Sequence, residues 1–97
     1  MAARRRYLVC YDIADEKRLR RVARVLKEYG RRLQYSVFEC LLGDTALERL
    51  KAALAKVIDT DEDQVMFVIL GTESADAVRI IDTLGLPYSP RPKLTIV

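Results

Sequence analysis

Two groups of residues in this sequence have the types and spacing for chemistry. The first is Tyr11-Asp12, a phenol and a carboxylate closing the apolar run Tyr7-Leu-Val-Cys-Tyr11. Asp12 reads in two ways: as the acceptor of an Asx-type turn, or as a Mg²⁺ ligand. One carboxylate alone binds Mg²⁺ weakly, but two copies facing across a two-fold axis would attract a hard cation. Such a cation activates water and neutralises charge during attack on a phosphodiester. Without it the two carboxylates repel, and one tends to take up a proton. The second group is basic: Arg4, Arg5, Arg6, Lys17, Arg18, Arg20, Arg21, Arg24, Lys27, Arg31 and Arg32. Charge runs are usually solvated faces. Here Arg outnumbers Lys, and the planar guanidinium fork matches phosphate oxygens.

The 97 residues carry a net charge of +3, unevenly placed. Residues 1–35 hold eleven of the seventeen bases and four of the fourteen acids, a balance of +7, and the remainder carries −4. A local excess of this kind favours a polyanionic partner such as duplex DNA or RNA. The absence of His excludes a Ser-His triad and His-liganded metals. Cys10 and Cys40 lack redox spacing and sit in apolar runs, so they read as buried reduced thiols, as in the cytosol. The basic start resembles a signal peptide, but Asp12 stops the apolar run too early, and no stretch is long enough to span a membrane. A cytoplasmic protein is expected.

Strand propensity predicts β-structure over residues 6–12, and apolar spacing at Leu19, Val22, Ala23, Leu26 and Tyr29 predicts a helix over 15–29. Asp15 is its expected N-cap and Gly30 its stop. Leu33 to Leu42 reads as one strand. A Thr45/Glu48 capping box opens a second helix over 45–58, and Val65 to Leu70 forms a third strand. Val78 to Ile81 suggests a fourth strand, Gly85 to Lys93 a linker, and Leu94 to Val97 a short tail strand. Asp59-x-Asp61-x-Asp63 fails as an EF-hand and reads as a solvated acidic loop, a candidate surface for a basic partner. The pattern of RNA-recognition modules is absent, as is a Walker-type loop.

This order predicts an α+β, ferredoxin-like β-α-β-α-β-β sandwich over 1–85, with 86–97 as linker and C-terminal strand. Two helices cover one sheet face. Strand one is apolar on both, with Tyr7, Val9 and Tyr11 opposite Leu8 and Cys10. A sheet-on-sheet homodimer, its tail strand packed across the dimer, would cover the second face; alternatively the tail folds back on its own sheet. A small-molecule regulatory domain is a third reading, disfavoured by the clustered arginines.

Tyr7-Leu-Val-Cys-Tyr-Asp-Ile13, Arg20-Arg-Val-Ala23, Tyr29-Gly30 and Arg32-Leu-Gln-Tyr-Ser-Val-Phe-Glu-Cys40 together resemble the CRISPR-associated protein two family of spacer acquisition. The close resemblance covers about 7–43. It implies a ferredoxin-like homodimer with Mg²⁺-dependent endonuclease activity on single-stranded RNA or double-stranded DNA. It also implies a second role, as a DNA-binding bridge partnered with the CRISPR-associated integrase. Asp12 becomes the metal-binding catalytic carboxylate, with Tyr11 beside it. Arg21 and Arg32 match basic positions of nucleic-acid handling, with Arg18, Arg20 and Arg31 nearby. Phe38 matches an aromatic of the family, although core packing explains it equally well. Leu19 departs from the family's arginine run.

Overall fold

The computed structural model describes residues 4–89. Its elements run β1 (Arg5–Asp12), α1 (Glu16–Lys27), β2 (Gly30–Gln34), β3 (Val37–Leu42), α2 (Asp44–Ala55), β4 (Gln64–Thr72) and α3 (Ala77–Ile80). The strands form one antiparallel sheet in the order β2-β3-β1-β4. This is the expected α+β, ferredoxin-like class. Alternation along the strands sends Tyr7, Val9 and Tyr11 of β1 and Phe38, Cys40 and Leu42 of β3 to one face. Val22, Ala23 and Leu26 of α1 and Leu50 and Leu54 of α2 complete the core there.

The element boundaries depart from the sequence expectations in several places. The run Leu33 to Leu42 is not one strand but the end of β2 and all of β3, turning at Tyr35-Ser36. No Gly or Pro marks that turn; contacts from β1 hold it, Tyr11 N–H donating to Ser36 O and Tyr11 OH to Tyr35 O, both at 3.1 Å. Helix α1 has the expected N-cap, Asp15 accepting from Arg18 N–H at 2.9 Å, but it ends at Lys27. Gly30 is not its left-handed stop. It is the first residue of β2, opposite Cys40, where an added Cβ would lie 2.2 Å from Glu39 O. Close strand approach, not helix termination, explains the glycine.

The Thr45/Glu48 box does not form: α2 begins at Asp44 behind Gly43, which contributes no side-chain cap. Val78 to Ile81 is not a strand. Asp76 accepts from Val78 N–H at 3.1 Å and turns the chain into the single-turn α3. The acidic loop is not wholly solvated either, because Asp63 is buried.

On the second sheet face, Leu8 and Cys10 are half-buried. The linker from Ile81 to Ser89 lies along this face and, with the sheet, bounds a cavity of about 840 Å³. Tyr88 anchors the linker by donating its hydroxyl to Glu39 at 2.5 Å. The chain thus partly covers its own second face, while Leu84 and Leu86 remain exposed. The expected tail strand Leu94 to Val97 lies outside the described residues. Among those described, no helix is long and apolar enough to cross a membrane.

Candidate functional site

Asp12 ends β1, paired with Gln64 of β4, and alternation directs it to the face away from the helices. It is exposed, and its carboxylate accepts no hydrogen bond from any described residue. The expected Asx turn is absent. The loop into α1 is instead held by Asp15 and by Asp63, which accepts from Ala14 N–H at 2.9 Å. Asp12 is therefore a carboxylate with no structural task. Tyr11 has one: its ring is buried against Phe38, with centroids 6.2 Å apart, and its hydroxyl ties β1 to the β2–β3 turn.

The structure sorts the basic residues by partner. Arg4 pairs with Glu73, Arg5 with Asp44, Arg6 and Arg31 with Glu39, and Arg18 with Asp63 and Glu62. Lys17, Arg20, Arg21, Arg24, Lys27 and Arg32 pair with no acid among the described residues. Arg20, Arg24, Lys27 and Arg32 line one open groove of about 340 Å³ between α1 and β2, floored by Tyr11, Leu19 and Ala23 and edged by Tyr35. No acid lines it. Leu19, where the family's arginine run is interrupted, forms part of this floor. The guanidinium of Arg32 stacks over Phe38 at 5.2 Å from the ring centroid, a cation–π contact that fixes its position. Phe38 itself is fully buried, so core packing accounts for the aromatic.

The free carboxylate at the end of β1 and the basic groove on the other sheet face both lie within a longer stretch of family-like sequence. Residues 5–78 match the family model described as CRISPR associated protein Cas2. The chain belongs to the Cas2 family. It is 49% identical over 72 residues to a protein of Thermodesulfovibrio yellowstonii named CRISPR-associated endoribonuclease Cas2 2, covering 74% of this chain and 79% of the relative. Its fold matches Streptococcus pyogenes Cas2 with a TM-score of 0.72 and 38% identity, over 82% of this chain and 99% of the other. It also matches a chain of a partial Cas6-RT-Cas1–Cas2 complex, at TM-score 0.67 and 26% identity, over 82% and 90%.

Of the residues expected in a Cas2 site, the structure brings Arg20 and Arg32 together in the groove, with Tyr11 beneath them. Arg21 is exposed on α1 but does not line the groove. Asp12 is adjacent to Tyr11 in the chain and lies on the opposite sheet face. Arg18 and Arg31 are committed elsewhere. Arg18 Nε donates to Asp63 at 2.8 Å, and this bond, aided by the N–H groups of Asp59 and Ala14, holds the Asp63 carboxyl well below the usual range despite burial. Arg31 Nε donates to Glu39 at 2.9 Å, its guanidinium lies over Tyr88, and it also bonds Ser89 O. Burial pushes Glu39 up, but hydrogen bonds from Tyr88, Arg31 and Arg6 outweigh it and hold its carboxyl below the usual range.

Sequence reasoning missed Glu39, Asp63, Tyr35 and Tyr88. Glu39 carried a signal, being one acid between Phe38 and Cys40 in an apolar strand. For a metal, no group of three His, Cys, Asp or Glu gathers among the described residues. The Asp12 carboxylate, without a protein partner among those residues, fits as a single ligand to a Mg²⁺ that keeps most of its waters.

Proposed function

We propose that this Cas2 protein is a spacer-acquisition endonuclease that works as a homodimer and cleaves phosphodiesters of single-stranded RNA or double-stranded DNA with Mg²⁺. The observation that carries this reading is the exposed Asp12 carboxylate, which accepts no hydrogen bond yet sits at the end of a central strand. At that position its oxygens stay open to a cation or a substrate phosphate. Bound Mg²⁺ would activate a water and neutralise charge on the phosphate. The chain's own part is to orient it: the Tyr11 hydroxyl bond fixes the end of β1, and the unpaired arginines attract the polyanion. Apolar sheet surface at Met66 and Val68, still exposed in one chain, supports a second copy on that face. The resemblance to relatives named endoribonuclease supports the activity.

A second reading is that the dimer bridges DNA to the CRISPR-associated integrase without cutting. It is favoured by the lack, among the described residues, of any group of three His, Cys, Asp or Glu able to hold a metal, and by the neighbour found within a Cas1–Cas2 complex. Asp12→Ala separates the two. Purified variant and parent are assayed for Mg²⁺-dependent cleavage of RNA and duplex DNA, and for integrase binding. Abolished cleavage with binding intact is expected. Persistent cleavage by the variant would overturn the catalytic assignment, and a parent that binds integrase but never cleaves would establish the bridging role.

A further inference from the structure

We infer that the groove between α1 and β2 is a subsite for one nucleotide of a single-stranded nucleic acid, its base stacked on Tyr35 and its phosphates on the surrounding cations. This rests on the nucleic-acid reading above and specifies the form of the strand. Four observations carry it.

The first is charge. Arg20, Arg24, Lys27 and Arg32 line the groove with no acid among them, whereas five other arginines of the same third of the chain are neutralised by carboxylates. Unpaired cations gathered around one concavity focus positive potential there and attract an anion. The second is Tyr35, whose side chain stands in solvent (77% exposed) while its carbonyl is fixed by the Tyr11 hydroxyl. An aromatic ring on a fixed backbone, contributing nothing to the core, is a stacking platform of the kind that binds bases without reading sequence. The third is size. About 340 Å³ lies at the small end of the roughly 300–1,000 Å³ of ligand pockets. A concavity of that order suits a group of about one nucleotide's size. The fourth is topology. Groove and Asp12 lie on opposite faces of the same end of β1, so a strand occupying both must turn around that end. A single strand makes such a turn; a duplex, stiff over about 150 bp, does not.

The test measures binding alone, in EDTA and in an Asp12→Ala background, so that loss of cleavage does not enter. Full-length protein is titrated against fluorescent single-stranded RNA, single-stranded DNA and duplex DNA by anisotropy. Tyr35→Ala is expected to weaken binding of at least one single strand roughly tenfold or more, Tyr35→Phe to restore it, and duplex binding to stay unchanged. The RNA and DNA arms show which strand the groove takes. Arg32→Gln should reduce the log–log salt slope on the affected single strand by about 0.7. Unchanged single-strand affinity in Tyr35→Ala would overturn the subsite whatever the cleavage assay gives. So would an equal loss on duplex DNA. Unfolding midpoints of the variants equal to the parent's establish that the exposed position is not structural.

Discussion

Replacing Gly30 by alanine should destabilise the protein through the β2–β3 pairing alone. The added Cβ would lie 2.2 Å from Glu39 O and 2.5 Å from Cys40 Sγ, against a floor of 3.0 Å for real Cβ contacts. The carbonyl belongs to the backbone of β3 and cannot rotate aside, so β2 must move away by several tenths of an ångström. Overpacking of this kind costs about 1–3 kcal/mol. Gly30 does not occupy the left-handed region, so alanine also regains about 0.4–1 kcal/mol through the unfolded chain. The balance is a loss of about 1.3 kcal/mol, or roughly tenfold in the folding equilibrium. With a urea slope of about 1 kcal/mol/M for so small a domain, the unfolding midpoint should fall by about 1.3 M at unchanged slope. Because β2 carries Arg32, the displacement should also loosen the basic groove. An unchanged or raised midpoint would refute the close-approach explanation.

Two other outcomes follow from buried groups. Asp63 is held below its ordinary value of about 3.9, so its contribution is complete above about pH 5 and is lost as the pH falls through and below that value. Acid unfolding curves should be shallower for Asp63→Asn than for the parent, and parallel curves would sink the assignment. Burial, with a smaller contribution from Glu39, pushes the Cys40 thiol up to about 11. At pH 8 Cys40 should react only on denaturation; prompt reaction of both thiols in the native protein would contradict the packing.

The parts legible in the sequence were those set by local periodicity. Alternation in β1 placed Tyr11 inward and Asp12 outward, and the 3.6-residue pattern of α1 located Val22, Ala23 and Leu26 in the core. What failed was whatever depends on a distant partner. Arg18 looked equivalent to Arg20 in the chain, and only the fold brings Asp63, 45 positions away, onto its guanidinium. Arg31 and Arg32 are neighbours with opposite fates, because strand pairing sends one toward Glu39 and the other over Phe38. The β2–β3 turn was hidden because Tyr35-Ser36 lacks the usual turn residues, and its bonds come from β1. Val78 and Ile80 of α3 are β-branched, a strand preference that the cap at Asp76 overrides.

The charge asymmetry of the chain has a physical use that neither half reveals alone. Every acid paired with Arg4, Arg5, Arg6, Arg18 or Arg31 lies beyond residue 36: Glu39, Asp44, Glu62, Asp63 and Glu73. The basic first third and the acidic remainder therefore meet across the fold. Arg6 and Arg31 converge on a buried carboxylate, where removing one partner leaves a poorly solvated charge. The more exposed pairs contribute little to stability in high dielectric, but they neutralise arginines that would otherwise spread positive potential over several surfaces. The unpaired remainder lies on α1 and β2, four of its members around a single groove. A polyanion is thus attracted to one side of the molecule. A protein with the same composition but with its acids interleaved among the arginines would fold with the same net charge and lack that direction.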